Sequence, residues 1–294
     1  MRPRPWSGWG DLPRLQAIAA EGTRDAPERG YVHPGDVAWW LGWHPRRTIP
    51  DAAIAIVEDG GRVAGWVLDD DGDVREYVDP TLLDTPGHDA FAAVVDAWLA
   101  ARGGRHDRWA DDTDVAAIAR LIEAGYVRTD DGTWCFERDE LGAPPDAGDV
   151  RPVATDDDVR ARATVTFAAF SNPPPFDAYL RAYRGFVASP AYPAGWDLVC
   201  RTPVGEPAAC CIAWPDPVSG RGNFEPVGTH PDRQRQGYGR VVMAEGLRRL
   251  ATAGMSGAIV RTTVGNLPAE GLYRSLGFTL RRTWHTYRRA PGDG

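Results

Sequence analysis

Lysine occurs nowhere in the 294 residues, so all 33 permanently basic side chains are arginines and lysine is excluded from every candidate role. The bias reads as one of genomic codon usage. Cysteine is scarce as well. Cys135, Cys200, Cys210 and Cys211 show no C-x-x-C spacing, which argues against a zinc site and against a disulfide framework. They read as buried strand positions. No apolar run is long enough to cross a bilayer, and the opening Met1-Arg-Pro-Arg-Pro-Trp-Ser7 has no signal-peptide core. The expectation is a soluble cytoplasmic protein without a metal.

Positive charge is also in deficit, with a net charge of −8, but unevenly. Residues 1–148 hold 15 arginines against 28 acidic residues, a net −13; residues 149–294 hold 18 against 13, a net +5. Nucleic acid is a poor partner for such a chain, because its phosphates would meet a strongly acidic neighbour. The basic half suits a small polyanion instead. With 43% hydrophobic residues the chain can bury a large core and is expected to form two domains.

What the sequence does have is an anion-binding layout from Glu225 to Arg240. An apolar strand ends at Val227 to Thr229, a turn with Pro231 follows, and an amphipathic helix opens at Gly237 and Gly239. Met243, Leu247, Leu250 and Ala251 share one face of that helix. Backbone N–H groups of a glycine-bearing turn, with the unpaired donors of a first helical turn, converge on a diphosphate without a side chain. On this reading the two glycines let the ligand approach the main chain, where a Cβ would take the place of a phosphate.

Gln234-Arg235-Gln236-Gly237-Tyr238-Gly239 resembles the Q/R-x-x-G-x-G/A signature of the GNAT family of N-acetyltransferases. Downstream, Asn266, Ala269, Tyr273, Gly277 and Phe278 resemble that family's N-x-x-A-x-x-x-Y-x-x-x-G-F segment. The resemblance covers residues 149 to 290. It implies acetyl-CoA as cosubstrate, with its pyrophosphate on Gln234, Arg235, Gln236, Gly237, Tyr238, Gly239 and Arg240. Its pantetheine would lie along Val227, Gly228 and Thr229, in a V-shaped opening between splayed strands, with Asn266 bonding to it or capping the next helix. A backbone N–H near Val227 is the expected oxyanion donor.

The first half repeats this plan in worn form. Helices are expected over 11–25, 35–43, 88–102 and 115–124, and strands over 52–58, 62–69, 74–78, 106–110 and 133–138. Leu121-Ile-Glu-Ala-Gly125-Tyr126 parallels Tyr273-Arg-Ser-Leu-Gly277-Phe278. The glycine loop has no counterpart: Asp79 to His88 holds two prolines and two aspartates, and Leu121 stands where the second half has Tyr273. The expected architecture is α/β (α+β), two tandem GNAT-like domains, each a mixed, mostly antiparallel sheet flanked by helices. Residues 1–140 form a degenerate domain without an acetyl-CoA site, 141–148 a linker, and 149–294 the catalytic domain. Mycothiol synthases, within the same family, have a similar tandem layout.

For chemistry, Tyr273 is the candidate general acid, because a phenol with a reference pKa near ~10 is protonated at neutral pH. Glu225 is the candidate general base, placed by the period of two on the same strand face as Val227 and Thr229. His230 and His285 are alternatives. Phe170, Phe176 and Tyr179 are candidate acceptor contacts or core, and Trp39, Trp40 and Trp43 either pack at a domain interface or close the cleft. The leading activity is acetyl transfer to the primary amine of a small molecule by a monomer. A protein or peptide N-acetyltransferase and a non-catalytic CoA-binding sensor are the rivals.

Overall fold

The computed structural model describes residues 1–25, 32–43, 53–142, 149–170 and 175–289. Most of the expected linker, residues 143–148, lies outside them. In the first half, strand β1 (Arg2–Pro5) precedes helices α1 (Leu12–Asp25) and α2 (Pro34–Gly42) and strands β2 (Ile54–Asp59), β3 (Arg62–Asp70) and β4 (Asp73–Val78). Helix α3 (Pro86–Arg102), strand β5 (Asp107–Asp111), helix α4 (Val115–Glu123) and strand β6 (Tyr126–Arg138) complete it. The second half runs through the same order. Strand β7 (Val150–Pro152), helices α5 (Asp156–Ala169) and α6 (Phe176–Val187), and strands β8 (Asp197–Arg201), β9 (Pro207–Asp216) and β10 (Arg221–Thr229) come first. Then come helix α7 (Tyr238–Thr252), strand β11 (Gly257–Thr263), helix α8 (Leu267–Ser275) and strand β12 (Thr279–Arg289).

Local chemistry starts these helices where the sequence says they should start. Thr155 caps α5 by accepting from Asp158 N–H at 3.1 Å while the Asp158 carboxylate accepts from Thr155 N–H, also at 3.1 Å. The imidazole of His33 does the same for α2, accepting from Gly35 N–H at 2.9 Å, and the Asp36 carboxylate accepts from His33 N–H at 2.8 Å. Strand β1 has no apolar alternation to announce it. Its prolines are tolerated because it is an edge strand that pairs only with β2.

The strands do not form two separate sheets. They make one twelve-stranded sheet in the order β1-β2-β3-β4-β5-β12-β6-β11-β10-β9-β8-β7. The closing strand of each half has crossed to the other: β6 pairs with β11, β12 pairs with β5, and β6 and β12 lie antiparallel at the centre. The expectation of two sheets is corrected on this point, because alternation identifies a strand but not its neighbour. The mixed, mostly antiparallel character is as expected: the parallel pairs are β4 with β5 and β10 with β11. The edges β1 and β7 are only 4 and 3 residues long, which leaves little backbone for further strand pairing.

One core cluster spans both halves on the face that carries α2, α5 and α6. Trp39 stacks on Trp43 at 5.4 Å, and Trp43 meets Tyr179 edge-on at 5.1 Å and Tyr183 at 5.9 Å. Trp39 and Trp43 are therefore interface packing, each such ring pair adding about 0.5–1.5 kcal/mol beyond area burial, while Trp40 packs on Trp66 within the first half. A second cluster lies beneath α7 and α8, and a third beneath α3.

Candidate active site

Strands β10 and β11 run side by side only from Arg221 with Gly257 to Phe224 with Val260. Beyond that point Val227, Gly228 and Thr229 stay paired with β9, and Arg261, Thr262 and Thr263 with β6. The two strands open into a V whose inner backbone edges face each other. The register of β10 slips between Phe224 and Val227, where Glu225 and Pro226 form an irregularity joined by a cis peptide bond. The period of two therefore fails there. Val227 packs with the residues beneath α7 and α8, while the charged neighbours of Glu225 are Asp36, Arg261, Arg75 and Arg162.

At the mouth of the V the chain turns through left-handed residues at Arg235 (φ 61°) and Gly237 (φ 88°) into α7. The first helical bond runs from Val241 N–H to the Gly237 carbonyl, and no side chain caps this end. The amides of Tyr238, Gly239 and Arg240 thus precede the helical ladder and point out of it. Arg235 and Arg240 are exposed, and neither pairs with a carboxylate among the described residues. The α3 terminus in the first half is closed by contrast: Thr85 accepts from Gly87 N–H at 3.1 Å, and Pro86 offers no N–H.

The two loop glycines have different reasons. Gly237 supplies a left-handed φ, and a Cβ there would meet nothing within 4 Å. At Gly239 a Cβ would lie 2.8 Å from Thr229 Oγ1 and 3.3 Å from Leu272 Cδ2, so this glycine serves the close approach of α7 to β10 and α8 rather than open ligand space. Gly239→Ala is expected to push the first turn of α7 away from β10 and to weaken acetyl-CoA binding about tenfold, as ~1–3 kcal/mol of overpacking implies. Isothermal titration measures it, and an unchanged Kd would show that the approach is dispensable.

Tyr273 is the seventh residue of α8 and is buried against Phe136 at 5.6 Å and Phe278 at 6.3 Å. Burial, then the charge of Glu225, pushes its phenol up from the ordinary tyrosine value, so it keeps its proton at neutral pH. The Glu225 carboxyl is pushed up to about 7, first by burial and second by Asp36, with Arg261, Arg75 and Arg162 pulling the other way. Asp36, which arrives from α2 of the first half, is almost wholly buried. Its carboxylate accepts from Arg261 at 2.6 Å and from Asn223 Nδ2 at 2.7 Å. Asp36, Asn223 and Arg261 escaped sequence reading because they are 187 and 225 positions apart, and the local pattern around Asp36 reads as a helix cap.

Other expected residues lie elsewhere or are occupied. Tyr179 is 2% exposed, a core residue packed between Trp43 and Phe167, and Phe176 packs on Phe167 at 5.4 Å. Phe170 is half exposed beside Gly228, at the mouth of the V. Asn266 caps α8, accepting from Ala269 N–H at 3.3 Å and donating to Thr262 Oγ1 at 2.8 Å. His230 caps the turn Pro231–Arg233, and His285 bonds Asp112 at 2.7 Å on β12. The cysteines are all buried, and burial pushes the thiols of Cys135, Cys200 and Cys210 up to about 11. Among the described residues no group of side chains is arranged to hold a metal ion, and no helix is long and apolar enough to cross a membrane.

Residues 159–278 match the acetyltransferase (GNAT) family. A mycothiol acetyltransferase from Kineococcus radiotolerans is 28% identical over 269 residues, covering 82% of this chain and 86% of that one. The chain is homologous to the GNAT-family acetyltransferases. That homology carries the coarse activity, transfer of an acetyl group from acetyl-CoA. In fold the chain is similar to a tandem GNAT protein from the clavulanic acid biosynthesis pathway, with a TM-score of 0.66 at 14% identity over 99% of each chain. It is also similar to a GCN5-related N-acetyltransferase from Sphaerobacter thermophilus, with a TM-score of 0.62 at 16% identity over 99% of this chain and 96% of that one.

Proposed function

We propose that the protein transfers the acetyl group of acetyl-CoA to the primary amine of a small molecule, by direct attack in a ternary complex formed in residues 149–294. The observation that carries this reading is Glu225, a carboxylate pushed up to about 7 where β10 parts from β11, its charge felt by a phenol that holds its proton. A base matched to neutral pH takes the proton of the incoming ammonium, and Tyr273 holds a proton for the departing sulfur. Acetyl-CoA supplies the activated acetyl group. Val227 to Thr229, the loop Gln234 to Gly239 and Arg240 would hold it, with an amide near Val227 facing the carbonyl oxygen. The buried, protonated thiols speak against an acyl-cysteine route. The closed α3 terminus supports a first half without acetyl-CoA, and the short edge strands support a monomer. Thiol release from acetyl-CoA over a panel of primary amines tests the reading, and release independent of every amine would overturn it.

Asp36, from α2, makes the base sensitive to the first half, and Arg261, from β11, opposes it. Asp36→Asn removes a negative neighbour of Glu225 and is expected to move the acid limb of kcat/KM to lower pH. Arg261→Gln removes a positive one and is expected to move it to higher pH. Arg75 and Arg162 remain in both variants. Equal shifts in pH-rate profiles of the two would contradict this arrangement.

A further inference from the structure

The first half contains a split like that of the second: β4 and β5 touch only at Asp73 with Asp107 and then diverge. A cavity of about 540 Å³ occupies this split, between Val78, Ala110, Phe91 and Ala92 on its walls and Leu121 on α4. It continues across β12 and β6, past Trp284 and Thr133, to Trp40, Arg75 and Arg261. Arg75 and Arg261 are the same arginines whose charges act on Glu225. Arg261, at that end of the cavity, bonds Asp36, which also holds Asn223, two residues before Glu225 on β10, so this end of the cavity lies near the base.

Two features of this cleft suit something other than a coenzyme. Leu121 is the seventh residue of α4, as Tyr273 is of α8, so the phenol is replaced by an apolar side chain facing the cavity. The helix end at the mouth is capped by Thr85 and begins with Pro86, leaving a diphosphate no ring of amides. The charged walls are also largely self-neutralised. Arg108 bonds Glu76 at 2.7 Å and Asp96 at 2.6 Å, Arg75 bonds Asp73 at 2.8 Å, and Arg261 bonds Asp36 at 2.6 Å. The volume is that of a drug-sized ligand, far beyond what an amine head group needs.

We propose that this cleft houses the body of the acceptor: an elongated primary amine whose ammonium end lies at Glu225 and whose apolar chain or ring system fills the β4/β5 split. The inference rests on the acetyltransferase reading above and assigns its substrate class. The Glu225 carboxylate receives the ammonium, and paired charges with apolar walls favour an uncharged body. From β10, which carries Glu225, to β5 the sheet spans four strand spacings, ~19 Å, which sets the length of molecule required.

The test uses n-alkylamines from ethylamine to dodecylamine with the full-length protein. Binding is followed by tryptophan fluorescence, since Trp40, Trp109 and Trp284 line the cavity, and thiol release is followed separately. Affinity is expected to rise about threefold per added methylene as each is buried. The dependence should flatten in Leu121→Trp and, if that variant does not fold, in Ala92→Phe, both of which fill the split. Affinity that ignores chain length, or rises equally in wild type and filled variants, would overturn the proposal. Length-dependent binding without thiol release from any amine would keep the cleft as a ligand site and overturn its acceptor role together with the proposed activity.

Discussion

Glu225→Gln is expected to lower kcat/KM by two to four decades at neutral pH, about the range general-base catalysis contributes. The wild-type profile should rise from low pH and level off above about 7, where the carboxyl of Glu225 ionises. Below that point activity should fall about tenfold per pH unit, as expected for one required deprotonation. In the glutamine variant this limb should vanish, leaving a low, pH-independent rate. Stability should move the other way. The folded carboxyl holds its proton up to about 7 against a reference value of 4.5, so between those values the folded state binds more protons than the unfolded one. The destabilising contribution of Glu225 is absent below the lower value and grows as pH rises to the upper. Glu225→Gln should therefore melt above wild type at pH 8 and level with it at pH 4. A variant with wild-type turnover and no stability gain at pH 8 would remove Glu225 from the mechanism.

Tyr273→Phe is expected to lower kcat by one to three decades while acetyl-CoA affinity stays nearly unchanged. The ring would still pack on Phe136 and Phe278, so the substitution isolates the hydroxyl. That hydroxyl retains its proton across the neutral range because burial and the nearby Glu225 charge both oppose ionisation. The same environment makes it a weaker acid than a free phenol, so its contribution is to have a proton in place for the sulfur rather than to release one readily. Single-turnover thiol release separates this step from binding. Wild-type kcat in the phenylalanine variant would assign the proton to a water or to the returning Glu225 proton.

The parts of the candidate site whose place in the fold the sequence announced are those whose chemistry is local. The loop Gln234 to Gly239 and the run Asn266 to Phe278 are each contiguous, and their spacing alone places a turn before a helix and a tyrosine on a helix face. The cap at Thr155 and the helix faces were visible for the same reason. Other features were not. The slip of β10 at Pro226 redirects Glu225 toward Asp36 and Arg261, and a period-two count runs straight through it. Tyr179 looks like a cleft residue by position in the chain, yet Trp43 from the other half covers it. Strand β1 carries no alternation because neither of its faces is buried.

The exchange of β6 and β12 also bears on how the halves depend on each other. Strand β6 supplies the neighbour of β11 and thereby one wall of the V of the proposed site, while α2 supplies Asp36. The first half is thus part of the structure that shapes the proposed site, although the sequence Asp79 to His88 carries no such glycine loop.

By itself the sequence determined nine of the first half's ten elements, and the candidate loop, tyrosine and carboxylate. These follow from backbone preference and side-chain period over a few residues, which act before any distant contact forms. Tertiary structure alone decided that the strands join one sheet, that Asp36 and Arg261 meet beside β10, and that a cavity reaches from the first half's split to Arg261. Those outcomes depend on which surfaces meet across some two hundred residues, and burial and charge pairing between remote segments leave no periodic trace in the chain.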